Sequence, residues 1–176
     1  EGGMVACADV EVARGIRLLR NQGMETQYEN EVVGYNNRMT DIHAAIGRVQ
    51  LKRLGAWTRR RRANADFLSS QLRGVITPHE QPGFRHVYHQ YTIRVEEDRD
   101  GFAKALREEY GVGCGVYYPI PNHKLPSLRR FAGESPLNHT DRAAGEVLSL
   151  PVHPFLTSRQ LAKIVKAVNT LAKAGG

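Results

Sequence analysis

The 176-residue chain is poor in several kinds of residue. It has two cysteines, Cys7 and Cys114, a single tryptophan, and only 7% aromatic residues. Two cysteines cannot build a disulfide framework, and nothing marks a secretory signal, so a reducing cytoplasm is the default setting. No apolar run approaches the ~18–20 residues of a membrane span, and no membrane partner is expected. Internal repeats and low-complexity tracts are missing, as are a nucleophile elbow, a Walker sequence and a Cys-x-x-Cys pair. What is present excludes disorder: 41% of the residues are apolar and 24% charged. The length allows one domain, or a small domain plus part of another. The chain opens Glu1-Gly2-Gly3-Met4, without an initiator methionine, and reads as a fragment.

The formal charge of +7 raises the question of an acidic partner. Its densest source is Arg59-Arg60-Arg61-Arg62, with Lys52 and Arg53 nearby. Four consecutive helical residues fan out over about 300°, each turning roughly 100°, so they cannot all address one phosphate backbone. The simpler reading is a solvated, salt-bridged helix face, and no interleaved aromatics argue for nucleic acid. His86-x-x-His89 has metal-like spacing, but on a strand the two rings would fall on opposite faces. No metal site is expected. Gly111-x-Gly113-x-Gly115 lies between a helix and a strand, the wrong order for a dinucleotide loop.

Periodicity predicts a helix over 9–20, ended near Gly23. Residues 34–38, Gly-Tyr-Asn-Asn-Arg, read as a turn, because Gly and Asn tolerate positive φ. Met39, Ile42, Ile46 and Val49 then form one apolar helical stripe, capped by Thr40 or Asp41. Helix continues to about Leu72, long enough that a break near Gly55 is conceivable. Alternation over Val87–Val95 predicts a strand, Asp98 or Asp100 caps a helix ending at Gly111, and 112–118 predicts a second strand. A short helix is expected around Asp141–Val147 and an extended piece at Leu148–Leu150. The last helix carries a capping box, Thr157 with Gln160. The second half is thus a compact α/β unit, whereas the first 72 residues are mostly helix and cannot bury both faces alone.

Two segments point to ligands. Gly34 to Arg38 precedes a helix, where backbone amides, an Asn donor and an Arg fork suit a phosphate. On chemistry alone a plain capped turn explains it more simply. Tyr117-Tyr118-Pro119-Ile120-Pro121-Asn122-His123 is proline-stiffened and presents aromatics and an imidazole, as a binding loop would. An aromatic strand end with a proline-rich exit fits equally well.

Six segments follow one pattern in order. They are Glu1 to Met4; Gly34 to Ile42 with Ala44-Ala45-Ile46-Gly47; Leu51 to Leu54 with Arg61-Arg62; His86 to Tyr91; Tyr117 to His123; and Leu148 to Pro154. Together they resemble the DegT/DnrJ/EryC1/StrS sugar aminotransferases, pyridoxal-phosphate enzymes of the aspartate-aminotransferase fold. The resemblance covers the whole chain without large gaps.

It implies an α/β fold, the C-terminal part of a fold-type I pyridoxal-phosphate-dependent transferase. Residues 1–72 would be the end of the large cofactor-binding domain with a long interdomain helix, and residues 73–176 the small C-terminal α/β domain. In that family the Schiff-base lysine lies a few residues before a Gly-Glu-Gly-Gly segment, so it is expected upstream of Glu1. None of Lys52, Lys104, Lys124, Lys163, Lys166 or Lys173 has the right context. No catalytic residue is therefore assigned within the chain, and alone it is expected to be inactive and without pyridoxal 5'-phosphate. The resemblance assigns Asn36 to the neighbouring subunit's cofactor phosphate, with Arg38 the nearby basic residue, and puts Tyr35 and His123 near the substrate. It implies a cytoplasmic homodimer with shared active sites, taking an amino group, usually from glutamate, to a keto group of a nucleotide-linked sugar in amino-sugar biosynthesis. Sugar, nucleotide and carbon are not specified, and some relatives use the fold for dehydration or regulation. A non-catalytic binding or assembly domain of the same fold is the alternative.

Overall fold

A computed structural model describes residues 2–133 and 135–174; Glu1, the first residue of the opening Gly-rich segment, lies outside the described residues. The chain divides into two compact units, Glu1–Leu54 and Gly55–Gly176.

The first unit begins with α1, Val10–Arg20. The Asp9 carboxylate caps it, accepting from Glu11 N–H at 2.8 Å and Val12 N–H at 3.1 Å. Gln22 and Gly23, at φ 59° and 79°, turn the chain out of it. Arg14 reaches Glu25 and Glu31, each at 2.7 Å, and folds the 24–31 loop back onto α1. Residues 34–38 are not the expected turn. Tyr35 N–H donates to Leu19 O at 2.6 Å, Asn37 N–H to Arg20 O at 2.9 Å, and Asn36 bridges Asn21. The segment is extended because the carbonyls at the end of α1 need donors and the incoming strand supplies them. Gly34 is required by close approach, not by positive φ: a Cβ there would lie 2.2 Å from the Gly23 nitrogen.

The second helix, α2, covers Asp41–Gln71 in 31 unbroken residues, without the conceivable break at Gly55. The Thr40 hydroxyl accepts from His43 N–H at its start. In the first unit its apolar stripe is exposed at Ile42, Ile46 and Val49, and Leu18 is that unit's one buried apolar side chain among the described residues. The sequence reading divides the chain at 72/73, at the end of this helix. The compact units divide inside it, because its last turns and the residue that follows place Ala65, Leu68 and Leu72 in the core of the second unit.

That core surrounds an antiparallel pair, β1 (Tyr91–Arg94) and β2 (Val147–Leu150), joined through α3 (Arg99–Glu108) and α4 (Asn138–Glu146) and followed by α5 (Ser158–Ala174). The register sets Tyr91 opposite Leu150 and Ile93 opposite Leu148, and all four are buried. Single bridges, Ile76 to Arg94 and Gly115 to Ser149, extend the sheet on either side. Asp98 caps α3 through Gly101 N–H at 3.0 Å, and the expected Thr157–Gln160 box opens α5. The Asn169 amide closes α2, accepting from Arg73 N–H at 2.8 Å and donating to Gln71 O at 3.0 Å.

Two expected strands are shorter than their patterns. Of 87–95 only Tyr91–Arg94 is strand, because the carbonyls before it are engaged by arginines of α2. Arg62 donates to His86 O, and Arg61 to Tyr88 O and His89 O at 3.3 Å each. Tyr88 itself stands at φ 47°. His86 and His89 are therefore not strand neighbours on opposite faces. Residues 112–118 make only the Gly115 bridge before Tyr118, at φ 57°, turns the chain away. The arginine run is thus half solvated face, at Arg59 and Arg60, and half loop anchor, at Arg61 and Arg62.

Replacing the fully buried Leu68 by Ala is expected to cost about 2–5 kcal/mol in denaturant unfolding, whereas Ile46→Ala, 52% exposed in this chain, changes stability by less than about 0.5 kcal/mol. Glu80 accepts from Arg62 at 3.0 Å and from His86 N–H at 3.0 Å, and these contacts, the Arg62 bond foremost, hold its carboxyl below the ordinary glutamate range. Its stabilising contribution is present above that range and is lost as pH falls through the lowered value. Arg62→Ala should move the Glu80 titration, followed by carboxyl carbon NMR, upward toward the ordinary range.

Candidate functional site

In the first unit, pairing with the end of α1 presents Tyr35, Asn36 and Arg38 in the extended segment leading into α2. All three side chains are exposed. Arg38 Nε–H donates to Asn36 Oδ1 at 3.0 Å, which fixes the amide's orientation, since only its oxygen can accept. Asn36 Nδ2 and the terminal guanidinium N–H groups of Arg38 are left without a partner among the described residues. This is an uncharged donor beside a charged fork, a set that fits a phosphate. Arg38 also lines a groove of about 1020 Å³ together with Cys7, Arg17, Arg20, Asn37 and Met39. Tyr35 and Asn36 do not line it. Arg17 and Arg20, basic residues in the last turn of α1, escaped the sequence reading because nothing there tied them to residues 37–39.

In the second unit, His123 occupies a one-turn 3-10 helix, Asn122–Lys124, entered from Pro121 at φ −57°. The imidazole is one wall of a cavity of about 610 Å³ whose lining includes Tyr117, Tyr118, Asn122, Phe131 and Thr140. Tyr118, 79% exposed, holds a left-handed backbone conformation that a tyrosine rarely adopts. Apolar walls with a few convergent polar groups are the ordinary make-up of a small-molecule site. Asp141, in the first turn of α4, approaches His123 Nε2 at 3.3 Å and Lys124 Nζ at 2.8 Å. Its carboxyl is held below the ordinary aspartate range, chiefly by Lys124. Sequence reading used Asp141 only as a marker of a short helix; the 17 residues between it and His123 hide the pairing.

A smaller cavity of about 340 Å³ is lined in part by Arg61, His89, Cys114, Ser149 and His153. Burial pushes the Cys114 thiol up, against the pull of Arg107, and so away from a reactive thiolate. Among the described residues no three His, Cys, Asp or Glu side chains come together as a metal set. No helix there is long and apolar enough to cross a membrane. The six lysines are all exposed, with Lys104 near Glu108, Lys124 near Asp141 and Lys163 donating to Gly111 O. None has the desolvated setting that makes a lysine amine a good nucleophile. The described residues thus offer anion donors and an apolar pocket.

Known proteins resemble this chain in sequence and in fold. The chain is 37% identical over 174 residues to a pleiotropic regulatory protein of Geobacillus stearothermophilus, covering 96% of this chain and 46% of that one. It is 36% identical over 170 residues to a UDP-N-acetyl-3-dehydro-alpha-D-glucosamine 3-aminotransferase of Acidithiobacillus ferrooxidans, covering 96% and 45%. It superposes on the crystal structure of Streptomyces venezuelae DesV in complex with a ketimine intermediate at a TM-score of 0.87 and 34% identity, covering 94% of this chain and 45% of that one. The chain therefore spans about half the length of the curated relatives it matches. The sequence pattern of the DegT/DnrJ/EryC1/StrS aminotransferase family matches residues 1–169, and the chain belongs to that family.

Proposed function

We propose that these residues serve, within a longer polypeptide, as the C-terminal part of an aminotransferase acting on a nucleotide-linked sugar. The observation that carries this reading is the family match over residues 1–169, joined to 36% identity with a named UDP-sugar aminotransferase. The family is pyridoxal-phosphate-dependent. When bound, that cofactor supplies the electron sink through which an amino group is exchanged. Glutamate is the proposed donor, a keto group on the sugar the acceptor, and the cytoplasm the setting.

Residues 1–72 are proposed as the end of the large domain with the long interdomain helix, and 73–176 as the small domain. The exposed stripe Ile42, Ile46 and Val49 supports a larger surrounding: water is a poor neighbour for it, and the first unit has almost no core of its own. Asn36 and Arg38 are proposed to hold the cofactor phosphate of the neighbouring subunit in a homodimer, which needs donors turned outward from their own chain. Their exposure and the orientation of the Asn36 amide fit that role. Tyr35 and His123 are proposed to face the substrate. On the family's pattern the Schiff base is proposed for a lysine upstream of Glu1, and the 176-residue chain alone is proposed to be inactive. The regulatory name of one relative favours a second reading, a binding or assembly domain of the same fold without catalysis.

In the complete polypeptide, Asn36→Ala should weaken cofactor retention by roughly 10–100-fold with the fold intact, the loss of one hydrogen bond to a charged group. An unchanged cofactor dissociation constant sinks the assignment of Asn36. The isolated chain, incubated with pyridoxal 5'-phosphate and reduced with borohydride, should show only scattered substoichiometric lysine labels by mass spectrometry. A stoichiometric adduct at one of the six lysines overturns the upstream assignment. Amino transfer from glutamate to a UDP-ketosugar by the cofactor-loaded complete protein separates the enzyme from the assembly domain.

A further inference from the structure

We propose that Asp141 is a positioning residue for His123, whose carboxylate holds the imidazole in one orientation with Nε2 carrying the proton. The proposal rests on the reading that His123 faces the substrate. Asp141 Oδ1 is sealed from solvent and lies 3.3 Å from His123 Nε2, whose side chain is itself only 21% exposed. So close to a carboxylate oxygen, a ring nitrogen carrying hydrogen is favoured over one presenting a lone pair, so the proton is placed on Nε2 and Nδ1 is left as the ring's acceptor.

The carboxylate is placed by three independent features. It belongs to the first turn of α4, where the helix dipole favours negative charge and no side chain provides an N-cap. Asp141 N–H donates to Leu137 O at 3.0 Å, which locks its backbone into the helix. Lys124, one residue beyond His123, approaches the same Oδ1 at 2.8 Å and balances its charge. Neither approach has full hydrogen-bond geometry, so short-range charge rather than an ideal bond sets the arrangement. The depressed carboxyl of Asp141 agrees with an ionised group at this point.

The consequence is for the cavity wall. An imidazole on a proline-entered turn would otherwise sample several rotamers, and each would present a different edge to whatever lies against Tyr117 and Phe131. Fixing it lowers the ordering cost of binding.

The first test uses the 176-residue chain, labelled with nitrogen-15 in histidine. The Nε2-bound proton of His123 should be visible in the proton spectrum, disappear by solvent exchange in Asp141→Ala, and persist in Asp141→Glu and in Lys124→Ala. Its persistence in Asp141→Ala, or its absence from the unaltered chain, overturns the proposal. If the alanine variant does not fold, the isosteric Asp141→Asn carries the same test, the weaker neutral acceptor giving faster exchange. The second test uses the complete, cofactor-loaded protein. Asp141→Ala should raise KM for the nucleotide-linked sugar on the order of tenfold with kcat changed less than about twofold, His123→Ala should do the same, and the double variant should add nothing further. A raised KM in His123→Ala with an unchanged KM in Asp141→Ala overturns the positioning role. An unchanged KM in His123→Ala instead overturns the substrate-facing reading of His123 and leaves the exchange test of the contact standing on its own.

Discussion

The burial of the last turns of α2 is the interaction on which the second unit depends. Ala65, Leu68 and Leu72 belong to the same apolar cluster as Tyr91, Ile93, Leu148 and the inward positions of α3 and α5. A two-stranded pair of four residues each is marginal in water without such a cover. The same helix also organises the chain around it through polar contacts. Arg61 and Arg62 hold the backbone of residues 86–89, Asn64 donates to His153 O at 3.0 Å, and Asn169 closes the helix end. Loops that could otherwise wander are thereby tied to the part of α2 in the second unit.

The helix has two characters, and the difference is energetic. Toward its end the apolar side chains are buried and the helix is fixed by packing. Toward its start they are exposed, and a helix of this length in water draws its order from propensity and from the capping at Thr40. The first unit has one buried apolar side chain and relies on hydrogen bonds and ion pairs, such as those of Arg14, which are worth little when exposed.

Helices were the legible part of the sequence. A 3.6-residue period and side-chain caps are local signals, and Asp98 and the Thr157–Gln160 box cap their helices as expected. The strands were overread because alternation records which faces are buried, not whether a neighbour supplies hydrogen bonds. Val87 to Gln90 alternate well, yet Arg61 takes the carbonyls of Tyr88 and His89. The turn expected at Gly34–Arg38 failed for a related reason: composition announced Gly and Asn, but the partner that straightens the segment lies at the end of α1. At the candidate sites, Asn36, Arg38, Tyr35 and His123 were named from their segments. Asp141, Arg17 and Arg20 were not, since each acquires meaning only from residues distant in sequence or on another element.

Gly34 carries a consequence for how this segment can vary. Its own chemistry is nil, and its conformation is open to any residue. A side chain there would nonetheless meet the backbone of residues 22 and 23, and the strand would have to lift away from α1. Asn36, two residues along, takes its place from that same pairing. The position that tolerates least is thus one with nothing to offer a ligand, and its single missing carbon sets the clearance by which a neighbouring amide is aimed.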